Sequence, residues 1–219
     1  MNRLNLSVIA LATTLFASAT FADDETYVTQ HYSFSLDDID EVYIDGGIGE
    51  MEVIHSDGDE INIELEIEGK RRFWIMNKRD ISDLELVQSK RGDTLRISLN
   101  EDDIEHVDIH WRIELPSVAH THFNLGVGKI TGEFADTELE LDIGVGAADI
   151  AIARNGAGRV ETSAGVGSAE LHGASNVVNK RVMISEETYG YGEGKHHMEL
   201  NVGVGEVKVR LTDNALVSF

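Results

Sequence analysis

Five side chains between positions 106 and 122 have the types that hold a transition metal: His106, Asp108, His110, His120 and His122. Imidazole nitrogen and carboxylate oxygen together suit Zn²⁺, Ni²⁺ or Cu²⁺. Alternation along 107–115 turns Val107, Ile109, Trp111 and Ile113 to one face and His106, Asp108 and His110 to the other. After Pro116, His120 and His122 share a face opposite Thr121 and Phe123. Were the two strands neighbours, four imidazoles and a carboxylate would converge. The plainer reading is a set of exposed strand residues, since their spacing matches no named metalloenzyme and no general base for metal-assisted hydrolysis stands out.

Two other stretches carry side chains suited to recognition. In KRRFWIMNKR, at 70–79, the cations Lys70, Arg71, Arg72, Lys78 and Arg79 crowd around Phe73 and Trp74. Such an island can dock an acidic partner or an anionic envelope polymer, with the aromatic pair as apolar anchor. It can equally cap the open end of a repeat structure, burying the rings and leaving the cations solvated. In TYGYGEGKHH, at 188–197, Tyr189 and Tyr191 stand in what reads as a glycine-rich loop, where their rings can stack on a sugar or a partner. A simple bridge between two repeats is the competing reading.

The sequence GVG occurs at 126–128, 144–146, 165–167 and 203–205, and the related GIG at 47–49. Phosphate binding would need the glycines to open a helix, whose N-terminal amides hold the anion. Here alternating strand residues follow each pair, as in EVKVRL at 206–211, and no Gly-Lys-Ser/Thr completes a Walker loop. A bend is the better reading. Leu125 precedes one pair and Ile130 follows it, an odd separation that a straight strand would resolve by turning them to opposite faces. Both enter one core only if the chain bends or bulges at the glycines, which supply the positive φ required. The expected corners are therefore Gly47 and Gly49, Gly126 and Gly128, Gly144 and Gly146, Gly165 and Gly167, and Gly203 and Gly205.

The elements that carry these residues are strands. Stretches such as EINIELEIE at 60–68, VDIHWRIEL at 107–115 and ELELDI at 138–143 alternate apolar and acidic residues with the period of a half-buried strand, and no helical period of useful length follows position 22. The chain is read as all-β. Corners recurring about every 20 residues predict a solenoid whose rungs bury their apolar faces only by stacking. On that reading the interval from Gly165 to Gly203 holds two rungs with one corner motif missing, and that from Gly47 to Gly126 about four.

Residues 1–22 read as a secretory signal peptide, with Arg3, an apolar run over 6–16 and small residues up to Ala22. This leaves 23–219 as one solenoid domain, exported to the periplasm or the cell surface. No later stretch is long and apolar enough to be read as a membrane-spanning helix. The chain has no cysteine, so neither disulfides nor thiolate metal sites arise. Its 40 acidic residues against 18 Lys and Arg give a net charge of −22, which repels nucleic acid and anionic lipid. No motif calls for a cofactor.

The order of these features resembles the bacterial putative-adhesin, or toast-rack, family of exported proteins. The shared features are an opening strand with a Gly-x-Gly corner over 42–53, the strand 95–99, the strand-then-proline element ending at Pro116, and repeated Gly-x-Gly rungs. The valine between the glycines departs from the small or polar residue usual there. The resemblance implies a single-stranded, right-handed, parallel β-helix-like solenoid in the cell envelope, used for interaction or sensing, with no catalytic residues to carry over. The functional expectation is a non-catalytic, adhesin-like module for an envelope protein or polymer. The alternatives are a transition-metal or glycan-binding protein and, behind these, a carbohydrate-active enzyme. The acids lie on every polar face, and no pair of them stands out for the enzyme.

Overall fold

The computed structural model describes residues 26–69, 84–100 and 107–213. They form twelve strands: β1 Thr26–Ser35, β2 Glu41–Ser56, β3 Glu60–Gly69, β4 Leu86–Arg91, β5 Thr94–Leu99, β6 Val107–Pro116, β7 His120–Phe134, β8 Glu138–Ala153, β9 Ala157–His172, β10 Ser175–Val182, β11 Ser185–Tyr191 and β12 His196–Thr212. Their order in the sheet is β1-β3-β6-β2-β7-β8-β12-β9-β11-β10, with β5 added to β2 and β4 to β5. The middle strands β2, β7, β8, β12 and β9 run parallel. Antiparallel pairs finish both ends.

The long strands must turn as they run. A parallel pair ordinarily needs a crossover of a dozen or more residues, yet only residues 135–137 join β7 to its neighbour β8. The strand itself therefore carries the chain back toward its start. Burial follows the same rule: Phe123 and Leu125 are buried before the glycine pair of β7, and Ile130 and Phe134 after it, all in one core cluster. Each long strand thus has two limbs, one on either side of its glycines, and both limbs feed the same interior.

The second glycines of the pairs stack strand to strand in the register Gly49, Gly128, Gly146, Gly205, Gly167, with φ of 130°, 149°, 150°, 142° and 139°. Space is as restrictive as φ. A Cβ on Gly128 would lie 1.8 Å from the Gly49 carbonyl oxygen, and one on Gly146 1.7 Å from that of Gly128. On the first limbs the core forms columns such as Ile44, Phe123, Leu141, Leu200 and Thr162. The column narrows toward β9, where the buried Thr162 donates to the Thr188 carbonyl and the Thr188 hydroxyl to that of Ala169.

The solenoid-like, all-β architecture agrees with the sequence, but three expectations need correction. The coil does not advance one rung at a time, because β12 lies between β8 and β9. β11 covers the other edge of β9, and the β10–β11 hairpin occupies the place of the expected extra rung before β12. Nor do four rungs separate Gly47 from Gly126, since β2 pairs directly with β7. The described residues between them form β3, β4, β5 and β6, which pair at this end of the sheet.

Candidate functional site

The first limbs of β2, β7, β8, β12 and β9, extended by β5 beside β2 and by β11 beside β9, present one outward face. Alternation and register line its side chains into rows that cross the strands. The central row runs Arg96, Tyr43, His122, Glu140, Glu199, Glu161, Tyr189. Six strand spacings make it roughly 29 Å long. Three carboxylates on neighbouring strands occupy its middle, and like charges set side by side in a sheet oppose folding.

A cationic and aromatic cluster closes each end of the row. At one end the Tyr43 ring lies parallel to that of His122, with centroids 4.1 Å apart, and the Arg96 guanidinium sits 4.2 Å from the Tyr43 centroid. His122 also lies 2.9 Å from Glu140 and 3.2 Å from Glu41. Glu41 accepts from the Thr94 and Tyr43 hydroxyls. The Thr94 hydrogen bond foremost, then those from Tyr43 and His122, hold the Glu41 carboxyl below its ordinary range. Burial and the hydrogen bond to Glu41 push the Tyr43 phenol up.

At the other end Arg159 is 4.7 Å from the Tyr189 centroid and donates to the Tyr191 hydroxyl at 3.1 Å. It also pairs with Glu161, and that hydrogen bond lowers the Glu161 pKa. Lys180 lies 5.4 Å from the Tyr189 centroid. The two tyrosines are therefore strand residues of β11 and not loop residues as expected, because 186–191 pairs with β9. Their outward direction comes from alternation with the buried Thr188 and Gly190.

The histidines are divided. β6 and β7 are not neighbours, because β2 runs between them. His110 pairs in register with Glu50 and Glu66 on the second limbs, whereas His120 and His122 lie on the first limb of β7 beside Glu138 and Glu140. His110 lines a shallow concavity of about 470 Å³ with Glu50, Glu52, Glu64, Glu66 and Arg112. Asp108 pairs in register with Glu68, and His106 lies outside the described residues. Among the described residues no three His, Asp or Glu side chains form a group that could hold a metal ion. The basic island Lys70, Arg71, Arg72, Phe73, Trp74, Lys78 and Arg79 also lies outside them.

Sequence reasoning missed the polar row itself. The available signal was the repeated acid or histidine three residues before the last apolar residue of each first limb, as in His122, Glu140 and Glu199, and only the register makes it a continuous row.

No protein-family model and no curated protein matches the chain. Solved structures do. A putative adhesin from Parabacteroides merdae shares 10% identity over 84% of this chain and 96% of its own, at a TM-score of 0.29. One from Parabacteroides distasonis shares 8% over 84% and 97%, at 0.28. A putative cell adhesion protein from Clostridium sporogenes shares 12% over 84% of this chain and 99% of its own, at a TM-score of 0.51, and this last likeness shows a common fold.

Proposed function

We propose that this protein is an exported, non-catalytic interaction module of the cell envelope, adhesin-like in that it offers an ordered outward face to a surface-bound protein or polymer. The observation that carries the reading is the polar row from Arg96 to Tyr189, an ordered outward array across seven strands. The Clostridium sporogenes fold adds support through the adhesion role its description gives. Export rests on the sequence of residues 1–22. With this goes the finer reading of the fold, a right-handed coil cornered at the Gly-x-Gly pairs.

The carboxylates favour binding over catalysis. A general acid needs its pKa raised, whereas hydrogen bonds to the ionised form hold the Glu41, Glu161 and Glu186 carboxyls low. Arg159 covers the Tyr189 and Tyr191 rings. That favours a partner engaging charge and edges over a sugar stacked on an open ring.

The test is cosedimentation of the protein (residues 23–219) with an isolated envelope fraction. Wild type is expected to pellet with it, and Glu140→Lys with Glu199→Lys to remain in the supernatant with an unchanged circular dichroism spectrum. Equal pelleting of both proteins, or none by wild type, overturns the reading.

A further inference from the structure

A second surface lies along the bend and has the opposite character. The valine between the two glycines of each Gly-Val-Gly pair points outward, and register aligns Val127, Val145, Val204 and Val166 across four strands, whereas Ile48, next in the same line, packs partly against the core. The four valines are exposed by 52%, 48%, 47% and 42% in that order. The line continues onto the next strand, because the Gly167 amide donates to the Ile184 carbonyl at 3.1 Å. Ile184 is 63% exposed and its turn neighbour Met183 93%. The result is an apolar ridge roughly 19 Å long, four strand spacings, ending in an apolar hairpin tip.

The tip is costly to build. Met183 and Ile184 form a two-residue turn between the paired Val182 and Ser185, and Met183 has φ of 56°. Positive φ at the first central position is the place of glycine in a II′ hairpin, and a long side chain there is disfavoured. Two apolar residues at an exposed turn gain no burial to offset that cost. The ridge is bordered by acids: Asp45 and Asp142 lie on its first-limb side, Glu50 and Glu206 on the other, and the flanking cations are Lys129 beside the ridge and Arg181, ion-paired with Glu186, beside the tip.

We infer that the ridge and the Met183–Ile184 tip dock a protein segment whose apolar stripe is bordered by Lys or Arg. Charge selects this occupant. A second copy would bring an equally acidic rim against this one, and an anionic membrane would meet a chain of net charge −22. Geometry agrees: a helix of about four turns spans the ridge, and its 5.4 Å pitch places one apolar residue per turn close to the strand spacing. This surface is separate from the polar row and its test is independent of it.

The probe is a fluorescein-labelled, 18-residue Leu/Lys amphipathic peptide, compared with a scrambled peptide of the same composition that has no apolar face. Anisotropy with the protein (residues 23–219) at 150 mM salt is expected to show at least tenfold tighter binding of the amphipathic peptide. Val145→Ser with Val204→Ser, and separately Met183→Gly with Ile184→Ser, should each remove that preference. The second variant places glycine where the turn favours it, so its Tm should hold or rise, which separates lost docking from lost folding. Equal binding of the two peptides to wild type, or undiminished preference in both variants, overturns the inference. So does a concentration-dependent dimer in sedimentation that vanishes in the same variants, since a second copy would then occupy the ridge.

Discussion

Phe123 and Phe134 belong to one strand, β7, yet their ring centroids are 5.7 Å apart in an edge-to-face contact. Eleven residues of straight strand would separate them by roughly 36 Å. The strand has folded back on itself between them. That one contact explains how a parallel neighbour is reached through a three-residue link. It also explains why the ridge exists: a side chain on the outside of such a bend has no facing layer to bury it.

The second glycine of each pair should be irreplaceable. Gly146→Ala puts a Cβ 1.7 Å from the Gly128 carbonyl oxygen at φ of 150°. Denaturant unfolding should show a loss of about 3 kcal/mol or more. Gly92 also has positive φ, 64°, but nothing lies within 4 Å of its added Cβ, so Gly92→Ala should cost only about 1 kcal/mol. Equal losses would mean that φ alone, and not the stacked carbonyls, demands glycine.

Leu141 and Val145 sit four residues apart on β8, the first fully buried and the second half exposed. Leu141→Ala empties a site between Phe123 and Leu200 and should cost about 2–5 kcal/mol. Val145→Ala should stay within about 0.5 kcal/mol. Thermal melts of the two variants check the limb geometry directly.

Glu161 contributes stability with a defined pH dependence. Its folded pKa is depressed, mainly by the Arg159 hydrogen bond, below the ordinary 4.5. The contribution is therefore complete above pH 4.5 and lost as pH falls through the depressed folded value. Glu161→Gln should melt below wild type at pH 7, and the gap should close on acidification past that window. A gap of constant size from pH 7 to pH 3 would show that charge at Glu161 is not what matters.

Amide exchange should grade across the sheet. β8 and β12 are hydrogen-bonded on both sides, whereas β10 is exposed along its whole length and, among the described residues, pairs only with β11. Hydrogen exchange monitored by mass spectrometry is expected to label 175–182 fastest among the described strands and the buried limbs of β8 and β12 slowest.

Much of this was legible in the residues. Alternation assigned Leu139, Leu141 and Ile143 to the inside, and Ala148, Ile150 and Ile152 likewise, and all six are buried. The odd step from Leu125 to Ile130 already demanded a break in phase. What alternation reports is the face of a residue, not its neighbour. His110 and His120 are therefore legible as outward residues, but whether they meet depended on their strands being neighbours, and β2 inserts between them.

The sequence by itself determined the all-β class, the inward and outward sets, and the positions where only glycine is tolerated, because these depend on local period and backbone sterics. Tertiary structure decided strand order, and with it both surfaces. The rungs carry nearly identical Gly-Val-Gly edges, so backbone pairing alone scarcely distinguishes one partner from another. With β11 covering one edge of β9, β12 enters on the other, between β9 and β8. Only that order sets Glu199 between Glu140 and Glu161, and Val204 between Val145 and Val166, turning scattered outward residues into a charged row and an apolar ridge.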